Sequence, residues 1–408
     1  MSEHAEKRHV TIGVSGSIAA YKSPELVRMF TTRGYQVRCI MTDCAREFIS
    51  PMTLESVSGS PVLSDFWKKS HGSGIDHIDL ADWTDALVIA PATADLIAKL
   101  AHGFADSPLL AVALAVRAPI LIAPAMNVNM YEHVITRENI EKLRVMGMTI
   151  IEPEEGALAC GWHGTGRLAS LHEVFMQTRR ALSVSDFAGK RILVSTGPTR
   201  EPIDPVRYVT NRSSGKMGAA LAIEAYRRGA DVSVVHGPIS PSVIAKFPLA
   251  IKRYPVVTAE EMKDAMLELT FNEEDNVPDI VIMAAAVADY RPAERASQKI
   301  KKSSKAGTIS VTPNPDILKL IGEKRSPGRP HLVGFAIETG ELPELLEELN
   351  NKLKSKNADL MVGNFAEDAF DLDTNRVWLI DKHGRQDEVA TSDKHRVADK
   401  ILNAILKL

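Results

Sequence analysis

The sequence predicts an α/β protein made of two tandem doubly wound domains, each with a parallel sheet covered by helices on both faces. Short apolar runs rich in β-branched residues alternate with longer segments of helical character, and this alternation starts again near residue 190. Buried parallel strands read as continuous apolar runs, and strands that alternate with helices are typical of a parallel sheet. The 408 residues also exceed what one hydrophobic core usually covers.

The predicted strands occur in two matching series. In the first half they lie at residues 10–15, 36–42, 85–91, 119–124 and 148–153. In the second half the corresponding runs read RILVSTG, DVSVVHG, DIVIMAAA, HLVGFA and DLMVGN. The first long helix of each series ends in Arg-Gly, so we expect Gly34 and Gly229 to cap these helices with positive φ. A polar stretch at 181–190 separates the series, and the predicted domains cover residues 1–183 and 188–408.

Composition argues against several classes of protein. The formal net charge of −3 gives no support for a nucleic-acid partner. No apolar run approaches the ~18 residues that span a bilayer, and the polar segment MSEHAEKRHV lacks the apolar core of a signal peptide. Cys39, Cys44 and Cys160 form neither a disulfide framework nor a metal-ligand pattern. We therefore expect a cytoplasmic enzyme that acts on small molecules and has no membrane partner.

Small residues follow the first predicted strand, in GVSGSIAAYK. Gly13, Ser15, Gly16 and Ser17 would let the backbone approach a phosphate where the first helix opens. The stretch is not the G-x-G-x-x-G fingerprint of dinucleotide-binding domains. A tight strand-to-helix turn without a ligand uses the same residues, so both interpretations stay open.

Further candidates follow later strands, because ligands of open α/β sheets bind outside the carboxyl ends of the strands. Thr93 and Ala94 follow the third predicted strand, although Thr93 could equally cap a helix. Asn127 follows the fourth, where it could bind a carboxylate or form an Asx-turn. His77 lies between two acidic residues in GIDHIDLADW, where it could transfer protons or be structural.

Cys160 lies in EEGALACGWHGTGRLAS (154–170), a segment too rich in glycine and charge for a core strand. Its thiol is therefore predicted to lie on a loop. Gly161, Gly164 and Gly166 are interpreted as hinges that let this loop open and close.

Four separated motifs make residues 8–180 resemble the flavin-containing phosphopantothenoylcysteine decarboxylases: GVSGSIAAYK, DHIDL, PAMNVNMY and ACGWHGTGR. The resemblance implies a flavodoxin-like domain whose cofactor is FMN, with the phosphate at the turn after the first strand. FMN would be bound by Gly13, Ser15, Gly16, Ser17, Thr42, Thr93 and Ala94. The cysteine moiety of the substrate would be oxidised to a thioaldehyde, lose CO₂ and be reduced again.

The same resemblance implies roles for particular residues. His77 would be the acid/base near the reacting centre, and Asn127 would hold the leaving carboxylate. Cys160 would supply a proton as the enethiol is reduced. Met126 and Met130, in PAMNVNMY, would contact the substrate.

The second half has its own candidate phosphate cradle in TGPTREPIDPVRYVTNRSSGKMG, formed by Ser213, Ser214, Gly215, Lys216 and Gly218. This is not a Walker A sequence, and a capping serine followed by a solvated lysine is the simpler alternative. Asp289, QKIKK (298–302) and TPNPDIL (312–318) follow later. Their grouping at strand ends favours a nucleotide site, although Lys301 and Lys302 are expected to be solvated.

The second half contains five distinctive motifs: TGPTREPIDPVRYVTNRSSGKMG, AAVADYR, KIKK, NPDIL and VGFAIET. Through these motifs, residues 188–405 resemble bacterial, CTP-using phosphopantothenate–cysteine ligases. The whole chain is thus similar to bifunctional coenzyme A biosynthesis enzymes that fuse the two activities in this order. The resemblance implies that CTP, with Mg²⁺, activates the carboxylate of phosphopantothenate as an acyl-cytidylate. The amine of cysteine would then displace CMP.

In the ligase resemblance, Asn211 would lie beside the activated carboxylate, Lys299 would act on the triphosphate and Asp289 would contact the ribose. The other implied substrate-binding residues are Arg207, Ser213, Ser214, Gly215, Lys216, Met217, Ala284, Ala285, Asn314, Pro315, Asp316, Ile317, Phe335, Lys352 and Lys356. The last two have a structural alternative, because the acidic-to-basic gradient of ELPELLEELNNKLKSK suits its helix dipole.

The resemblance also implies homo-oligomers, with trimers of the flavin domain, dimers of the ligase domain and larger assemblies up to a dodecamer. The chain departs from the family pattern at Gln298 and at Pro108, which falls where an apolar helix usually starts. A regulatory flavoprotein-like subunit is a second function, and the joint presence of His77, Asn127 and Cys160 argues against it. A nicotinamide-dependent oxidoreductase is a third, disfavoured because both halves lack G-x-G-x-x-G.

Overall fold

The computed structural model describes residues 8–66, 76–157, 161, 163–271, 277–301, 307–369 and 372–408. The chain divides into two compact units between Ser183 and Val184. Each unit is described by itself. Cys160 and Lys302 lie outside the described residues.

Unit 1 is built around a six-stranded parallel sheet. Its strands are β1 (His9–Val14), β2 (Gln36–Met41), β3 (Val62–Leu63), β4 (Ala86–Ala92), β5 (Ile120–Pro124) and β6 (Thr149–Ile150). They pair in the order β3-β2-β1-β4-β5-β6, and every pair is parallel. Without the two-residue β3, this is the 2-1-3-4-5 order of flavodoxin-like sheets. The predicted fold class of the first domain is confirmed.

Helices and one hairpin complete unit 1. The helices are α1 (Ser23–Thr31), α2 (Pro51–Ser58), α3 (Asp76–Trp83), α4 (Ala94–Ala101), α5 (Pro108–Ala115), α6 (Val128–Glu132), α7 (Val134–Val145) and α8 (Leu171–Ala181). The antiparallel hairpin consists of β7 (Glu154–Ala157) and β8 (His163–Arg167).

The sequence predicts that the first helix begins directly at the small-residue turn, and the structure differs. A 3₁₀ helix at Ile18–Lys22 comes first, and α1 begins only at Ser23, with a proline in its first turn. Proline fits there because the first N–H groups of a helix have no intrahelical partner. Pro108 follows the same rule: it starts α5, and Ser107 caps that helix by accepting a hydrogen bond from the Leu110 N–H at 3.4 Å.

The expected positive φ at the ends of the first helices is confirmed. Gly34 has φ of 85° and Gly229 has φ of 99°. Gly229 directly follows Arg228, the cap residue of its helix, whereas Gly34 lies two residues beyond the cap residue Thr32. Glycine adopts this conformation without the steric cost that a Cβ brings.

Unit 2 contains an eight-stranded mixed sheet, with β9 (Arg191–Thr196), β12 (Asp231–His236), β13 (Lys252–Pro255), β14 (Ile280–Met283), β17 (His331–Glu338), β18 (Leu360–Phe365), β19 (Thr374–Asp381) and β20 (Gln386–Asp393). The order is β13-β12-β9-β14-β17-β18-β19-β20. The first six strands in this order are parallel and repeat the doubly wound arrangement of unit 1, which confirms the predicted fold class. The antiparallel extension by β19 and β20 was not predicted.

Two small hairpins and several helices surround this sheet. The hairpins pair β10 (Arg200–Pro202) with β11 (Tyr208–Thr210), and β15 (Tyr290–Pro292) with β16 (Val311–Pro313). The helices are α9 (Lys216–Arg227), α10 (Pro241–Ile244), α11 (Ala259–Phe271), α12 (Ile317–Lys324), α13 (Leu342–Ser355), α14 (Ala366–Ala369) and α15 (Lys394–Ile405). Buried side chains of β9, β14, α12 and α13 form one continuous apolar core.

A buried carboxylate holds the amino-terminal edge of the unit 2 sheet. Asp359, which is 2% exposed, accepts hydrogen bonds from the Leu332 N–H at 2.8 Å and from Lys382 Nζ at 2.9 Å. Arg325 Nη1 also donates to it. Burial alone would raise the pKa of Asp359, but the bonds from Arg325 and Lys382 outweigh it and the pKa lies below its usual value.

Replacing Asp359 by Ala is expected to destabilise unit 2 by about 3–5 kcal/mol, because Arg325 would stay buried without its carboxylate. Urea unfolding of the full chain measures this loss. The carboxylate stabilises the fold above its unfolded pKa of ~4 and less as pH falls through its lower folded pKa. The difference between parent and variant should therefore shrink in acid.

Lys382→Met is the matched control for this prediction. The Lys382 side chain is 33% exposed, and partly exposed ion pairs contribute about 1 kcal/mol or less. A loss for Asp359→Ala no larger than that for Lys382→Met would contradict the prediction.

Candidate active sites

The turn after β1 in unit 1 is tied to the end of the neighbouring strand β4. Ser15 is 1% exposed, and its Oγ donates to the Pro91 carbonyl at 2.8 Å and accepts from the Thr93 N–H at 3.0 Å. The chain leaves β1 and β4 toward opposite sides of the sheet at this point, which is where open α/β sheets bind ligands. Ser15 and Thr93, predicted separately, are thus brought together.

Close packing explains the glycines of this turn. A Cβ on Gly16 would lie 2.5 Å from Cys44 Cβ, and one on Gly13 would lie 2.6 Å from Leu109 Cδ1. Ser17 precedes the 3₁₀ helix and accepts from the Ala19 N–H at 3.3 Å. The turn therefore lies against the segment that follows β2, with no room for a side chain at Gly16, whereas Gly13, inside β1, packs against the Leu109 side chain.

Three predicted flavin contacts outside the Ser15 turn occupy distinct environments. Thr42 follows β2, and its buried hydroxyl has no hydrogen-bond partner among the described residues. Thr93 is the N-cap of α4, accepting from the Leu96 N–H at 3.3 Å, so the capping alternative holds for its side chain. Ala94 is the first residue of α4. A ligand with hydrogen-bonding groups fits the unpartnered Thr42 hydroxyl beside the Ser15 turn.

The turn after β5 is packed against the β7–β8 hairpin. Asn127 Oδ1 accepts from the Asn129 N–H at 2.8 Å, which is the Asx-turn alternative, and caps α6. The Met126 N–H donates to the Gly166 carbonyl at 2.9 Å. Met130, also on α6, is 49% exposed. This hairpin is the one whose connection includes Cys160, which lies outside the described residues.

Packing accounts for two of the glycines interpreted as hinges. A Cβ on Gly164 would lie 2.7 Å from Val128 Cγ2, and one on Gly166 would lie 2.4 Å from the Met126 carbonyl oxygen. Their φ values are 157° and 150°. Both glycines therefore let the hairpin approach the turn after β5. Gly161, with φ of 83°, has no atom within 4 Å of its ideal Cβ position.

His77 lies in the first turn of α3. Its ring meets the Phe66 ring edge to face, with centroids 5.6 Å apart. Among the described contacts, none joins His77 to the Ser15 turn or to Asn127. The structure therefore places His77 without bringing it together with the other predicted residues of unit 1.

Unit 2 contains a cavity of about 1000 Å³ at the carboxyl ends of its parallel strands. Most of the predicted ligase residues line it: Asn211, Ser213, Ser214, Gly215, Lys216, Met217, Ala284, Ala285, Asp289, Asn314, Pro315, Asp316, Ile317, Phe335, Lys352 and Lys356. Residues more than 140 positions apart in the sequence thus share one wall. Arg207 and Lys299 are not among the lining residues.

Buried hydroxyls at the end of β9 hold the cavity loops. Ser195 Oγ accepts from the Ala285 N–H at 3.3 Å, and Thr199 Oγ1 accepts from the Ala288 N–H at 3.0 Å. Thr196 Oγ1 donates to the Gly215 carbonyl at 2.8 Å. These three hydroxyls fix both the loop after β14 and the start of α9. They were missed from the sequence because threonine and serine at a strand end carry no distinctive spacing.

The start of α9 differs from the capping-serine alternative. Its N-cap is Gly215, with φ of 73°, and a Cβ there would lie 2.5 Å from Ile239 Cγ2. Ser213 Oγ instead accepts from the Gly215 N–H at 3.4 Å. Lys216 is paired with Asp373 at 2.6 Å. The first residues of α9 line the cavity, which is where a phosphate cradle would have to lie.

Two asparagines tie the cavity loops together. Asn211 Nδ2 donates to the Val287 carbonyl at 3.0 Å, and Asn314 Nδ2 donates to the Ala288 carbonyl at 2.7 Å. The Asn314 N–H donates to the Asp289 carbonyl at 2.8 Å. Asn211 and Asn314, which come from two separate motifs, are therefore both bonded to the loop that carries Asp289.

The charge of the cavity lining is mixed, with cationic groups in excess. Cationic side chains come from Arg212, Lys216, Lys352, Lys356 and Lys394, and acidic ones from Asp289, Asp316 and Glu338. Lys352 lies 2.9 Å from Glu338 and Lys356 lies 3.0 Å from Asp316. Burial lowers the pKa of Lys352, but its bonds to Glu338 and Glu348 outweigh burial and hold the pKa above its usual value, so this lysine stays charged.

Sequence reasoning missed several polar lining residues, namely Arg212, Glu338, Asn364, Asn375 and Lys394. Asn375 is the second residue of β19 and Lys394 begins the last helix, so their approach to the cavity depends on strand pairing that the sequence did not reveal. Lys394 is only 6% exposed. The one sequence signal that could have identified Lys394 as a cavity residue is that it lies on an otherwise apolar face of its helix.

The chain matches two family models. Residues 1–183 match the model described as Flavoprotein, and residues 187–408 match DFP, the DNA/pantothenate metabolism flavoprotein C-terminal domain. The class of protein is therefore a flavoprotein domain followed by a pantothenate-metabolism domain. Within the described residues, no helix is long and apolar enough to cross a membrane, and no cluster of three or more His, Cys, Asp or Glu side chains could hold a metal ion.

Relatives match along almost the whole chain, and each is a "Coenzyme A biosynthesis bifunctional protein CoaBC". The Haemophilus influenzae protein is 38% identical, covering 98% of this chain and 97% of its own. The Bacillus subtilis protein is 40% identical, covering 98% and 97%. The Escherichia coli K12 protein is 40% identical, covering 97% and 95%. The chain belongs to this family of bifunctional coenzyme A biosynthesis enzymes, which confirms the resemblance found in the sequence.

Replacing Ser15 by Ala is expected to weaken flavin binding to unit 1. The variant loses the bond to the Pro91 carbonyl and leaves the partly buried Thr93 N–H without its acceptor, which together cost upward of about 1.4 kcal/mol. That energy corresponds to about tenfold in affinity. Fluorescence titration of flavin-depleted protein with flavin measures the change.

Ser23→Ala is the matched control for Ser15. Ser23 is also 1% exposed, and its Oγ donates to the Ala90 carbonyl at 3.0 Å on the same strand. It accepts no described bond from the Thr93 turn. Equal flavin affinities for the two variants would show that Ser15 has no special role.

Proposed function

We propose that the chain catalyses two consecutive steps of coenzyme A biosynthesis. Unit 2 joins 4′-phosphopantothenate to L-cysteine at the expense of CTP, and unit 1 decarboxylates the product to 4′-phosphopantetheine. The similarity to CoaBC proteins over 97–98% of the chain is the observation that carries this proposal. The unit 2 cavity supports it, because residues of four of the five ligase motifs line it, all except KIKK.

In unit 2, CTP would activate the carboxylate of phosphopantothenate as an acyl-cytidylate, with release of pyrophosphate. Neutralising the charge of the triphosphate is the main requirement of such a step. The cationic groups of the cavity lining meet it from several sides, and Mg²⁺ would bind mainly through phosphate oxygens and water. Asn211, bonded to the loop after β14, would position the activated carboxylate. The amine of cysteine would then displace CMP.

In unit 1, FMN fits the Ser15 turn, with Gly13, Gly16 and Ser17 shaping the approach to its phosphate. Thr42 would donate its buried hydroxyl, and Thr93 and Ala94 would contact the cofactor through the start of α4. When bound, FMN accepts two electrons from the cysteine moiety and later returns them. This leaves the chain's own residues to bind the substrate and move protons.

The residues after β5 and on the β7–β8 hairpin would handle the substrate of unit 1. Asn127 would hold the leaving carboxylate through its Nδ2 group, since its Oδ1 accepts the Asn129 N–H. Met126 and Met130 would contact the substrate from the same turn. His77 would serve as acid/base, and Cys160 would donate a proton as the enethiol is reduced. The flavin domain would act as a trimer and the ligase domain as a dimer in the cytoplasm.

Lys299→Gln is expected to lower CTP-dependent pyrophosphate release at least about 100-fold, because a positioned cation on the transferring phosphate typically contributes 10²–10³-fold. Release of CO₂ from supplied phosphopantothenoylcysteine should stay at the parent rate. The measurement compares pyrophosphate and CO₂ in the same protein samples.

Lys301→Gln provides the control, because Lys301 is exposed on the same described segment and is expected to be solvated. This variant should retain both activities within about twofold. If Lys299→Gln also kept its ligase rate within a few-fold, the role given to Lys299 would be wrong.

A further inference from the structure

Asp204 is a buried carboxylate in the turn between β10 and β11 that the reaction described above does not use. It is 2% exposed. Its Oδ1 accepts from the N–H groups of Val206 and Arg207, each at 2.8 Å. These two bonds form a local turn of the kind that Asp and Asn commonly build. They leave Oδ2 for other partners.

The second oxygen of Asp204 reaches a distant part of the chain. Oδ2 accepts from the Ile300 N–H at 3.1 Å and from Arg207 Nε at 3.0 Å. Arg207 Nη2 in turn donates to the Ile300 carbonyl at 2.7 Å. The Asp204–Arg207 pair therefore binds both backbone groups of one residue, 96 positions further along the chain.

This attachment has a second anchor nearby. The Ala296 N–H donates to the Ile203 carbonyl at 3.0 Å, so the segment from 296 to 300 is fastened at two points to the β10–β11 turn. Lys299, the residue adjacent to Ile300, is exposed and absent from the cavity lining. A long lysine side chain on such a segment depends on its backbone for its position.

We propose that Asp204 is a positioning residue of the ligase reaction, which acts with Arg207 by clamping Ile300 and thereby setting where Lys299 can reach. The proposal rests on the proposed function of Lys299. A misplacement of ~1 Å at a reacting centre can cost about 100-fold in rate. Arg207 holds the pKa of Asp204 well below its usual range, so the carboxylate stays ionised at any pH used to assay the enzyme.

Asp204→Asn separates the clamp from the local turn. The amide oxygen can replace Oδ1 and keep the bonds to Val206 and Arg207. The NH₂ group replaces Oδ2, and it cannot accept from the Ile300 N–H or from the Arg207 guanidinium. The variant therefore keeps the turn and removes the long-range bonds.

Asp381→Asn is a matched control from the β19–β20 turn. Asp381 is 8% exposed, and its Oδ1 accepts from the His383 and Arg385 N–H groups, each at 2.9 Å. Its Oδ2 faces Arg385 Nε at 3.3 Å. All these described partners lie within four residues, and Asp381 pairs with Leu360 at the edge of the sheet opposite the cavity.

The test is a double-mutant cycle on CTP-dependent pyrophosphate release by the full chain, with Asp204→Asn, Lys299→Gln and both together. Asp204→Asn should lower kcat about 100-fold and leave CO₂ release unchanged, whereas Asp381→Asn should stay within about threefold of the parent. Because Asp204 acts through Lys299, the double variant should be no slower than Lys299→Gln alone. Hydrogen exchange in the 296–301 segment should accelerate in Asp204→Asn while the rest of unit 2 keeps the parent rates.

Three outcomes would overturn the proposal. If Lys299→Gln is inactive but Asp204→Asn is as active as Asp381→Asn, the clamp has no role. If the two losses multiply, Asp204 acts independently of Lys299. If Lys299→Gln is itself fully active, the assigned function of Lys299 fails and the clamp fails with it. Should Asp204→Asn not fold, Arg207→Lys enters the same cycle, since it keeps the carboxylate and shortens the reach to the Ile300 carbonyl.

Discussion

Buried hydroxyls at the carboxyl end of the first strand join the two halves of each sheet where the crevice opens. In unit 1 Ser15 bonds to the end of β4 through Pro91 and Thr93. In unit 2 Ser195 and Thr199 bond in the same way to the loop after β14. Doubly wound sheets bind ligands at this point because the chain leaves the two strands in opposite directions. Side-chain hydrogen bonds hold the loops at this point in both units.

The positions of the other site residues follow from these bonds. Once the loop after β14 is fixed, Asn211 and Asn314 can bond to its carbonyl groups from two further motifs. The start of α9 is fixed separately, through Thr196 and Gly215. A rigid framework of this kind lets substrate-binding groups on loops keep a defined geometry.

Three lysines of the unit 2 cavity form ion pairs with carboxylates that an anionic ligand could replace. Lys216, Lys352 and Lys356 are each paired with a carboxylate, and their side chains are between 23% and 31% exposed. Partly exposed ion pairs contribute little to stability, about 0–1 kcal/mol. A triphosphate could therefore displace the carboxylates at small cost.

The sequence predicted the parts of this protein that depend on local patterns. Strands such as β1 and β9 are continuous apolar runs, and Gly34 and Gly229 each follow a helix in the dipeptide Arg-Gly. What it missed depends on contacts between distant segments. The two-residue β3 is too short to show a pattern, and the last two strands show no regular alternation, since β19 is mostly buried and β20 mostly exposed. Lys394 and Asn375 line the cavity only because that pair extends the sheet.

The same limit applied within the candidate sites. The glycines of the β7–β8 hairpin were interpreted as hinges of a closing loop, but Gly164 and Gly166 contact Val128 and Met126, which are distant in sequence, so spacing alone cannot show this packing. The sequence predicted no role for Asp204, although it lies within a ligase motif, because its partner Ile300 is 96 positions away. The sequence identified the motif residues as a group, and the structure shows which contacts each of them makes.

The central claim is that one chain performs a CTP-dependent ligation followed by a flavin-dependent decarboxylation. Its most direct test supplies the purified full chain with phosphopantothenate, cysteine and either CTP or ATP, and follows pyrophosphate and CO₂ together. The account predicts that CTP supports release of both products in equal amounts, with pyrophosphate appearing first, and that ATP supports little of either. Absence of pyrophosphate with CTP, or CO₂ release that does not depend on the nucleotide, would contradict it.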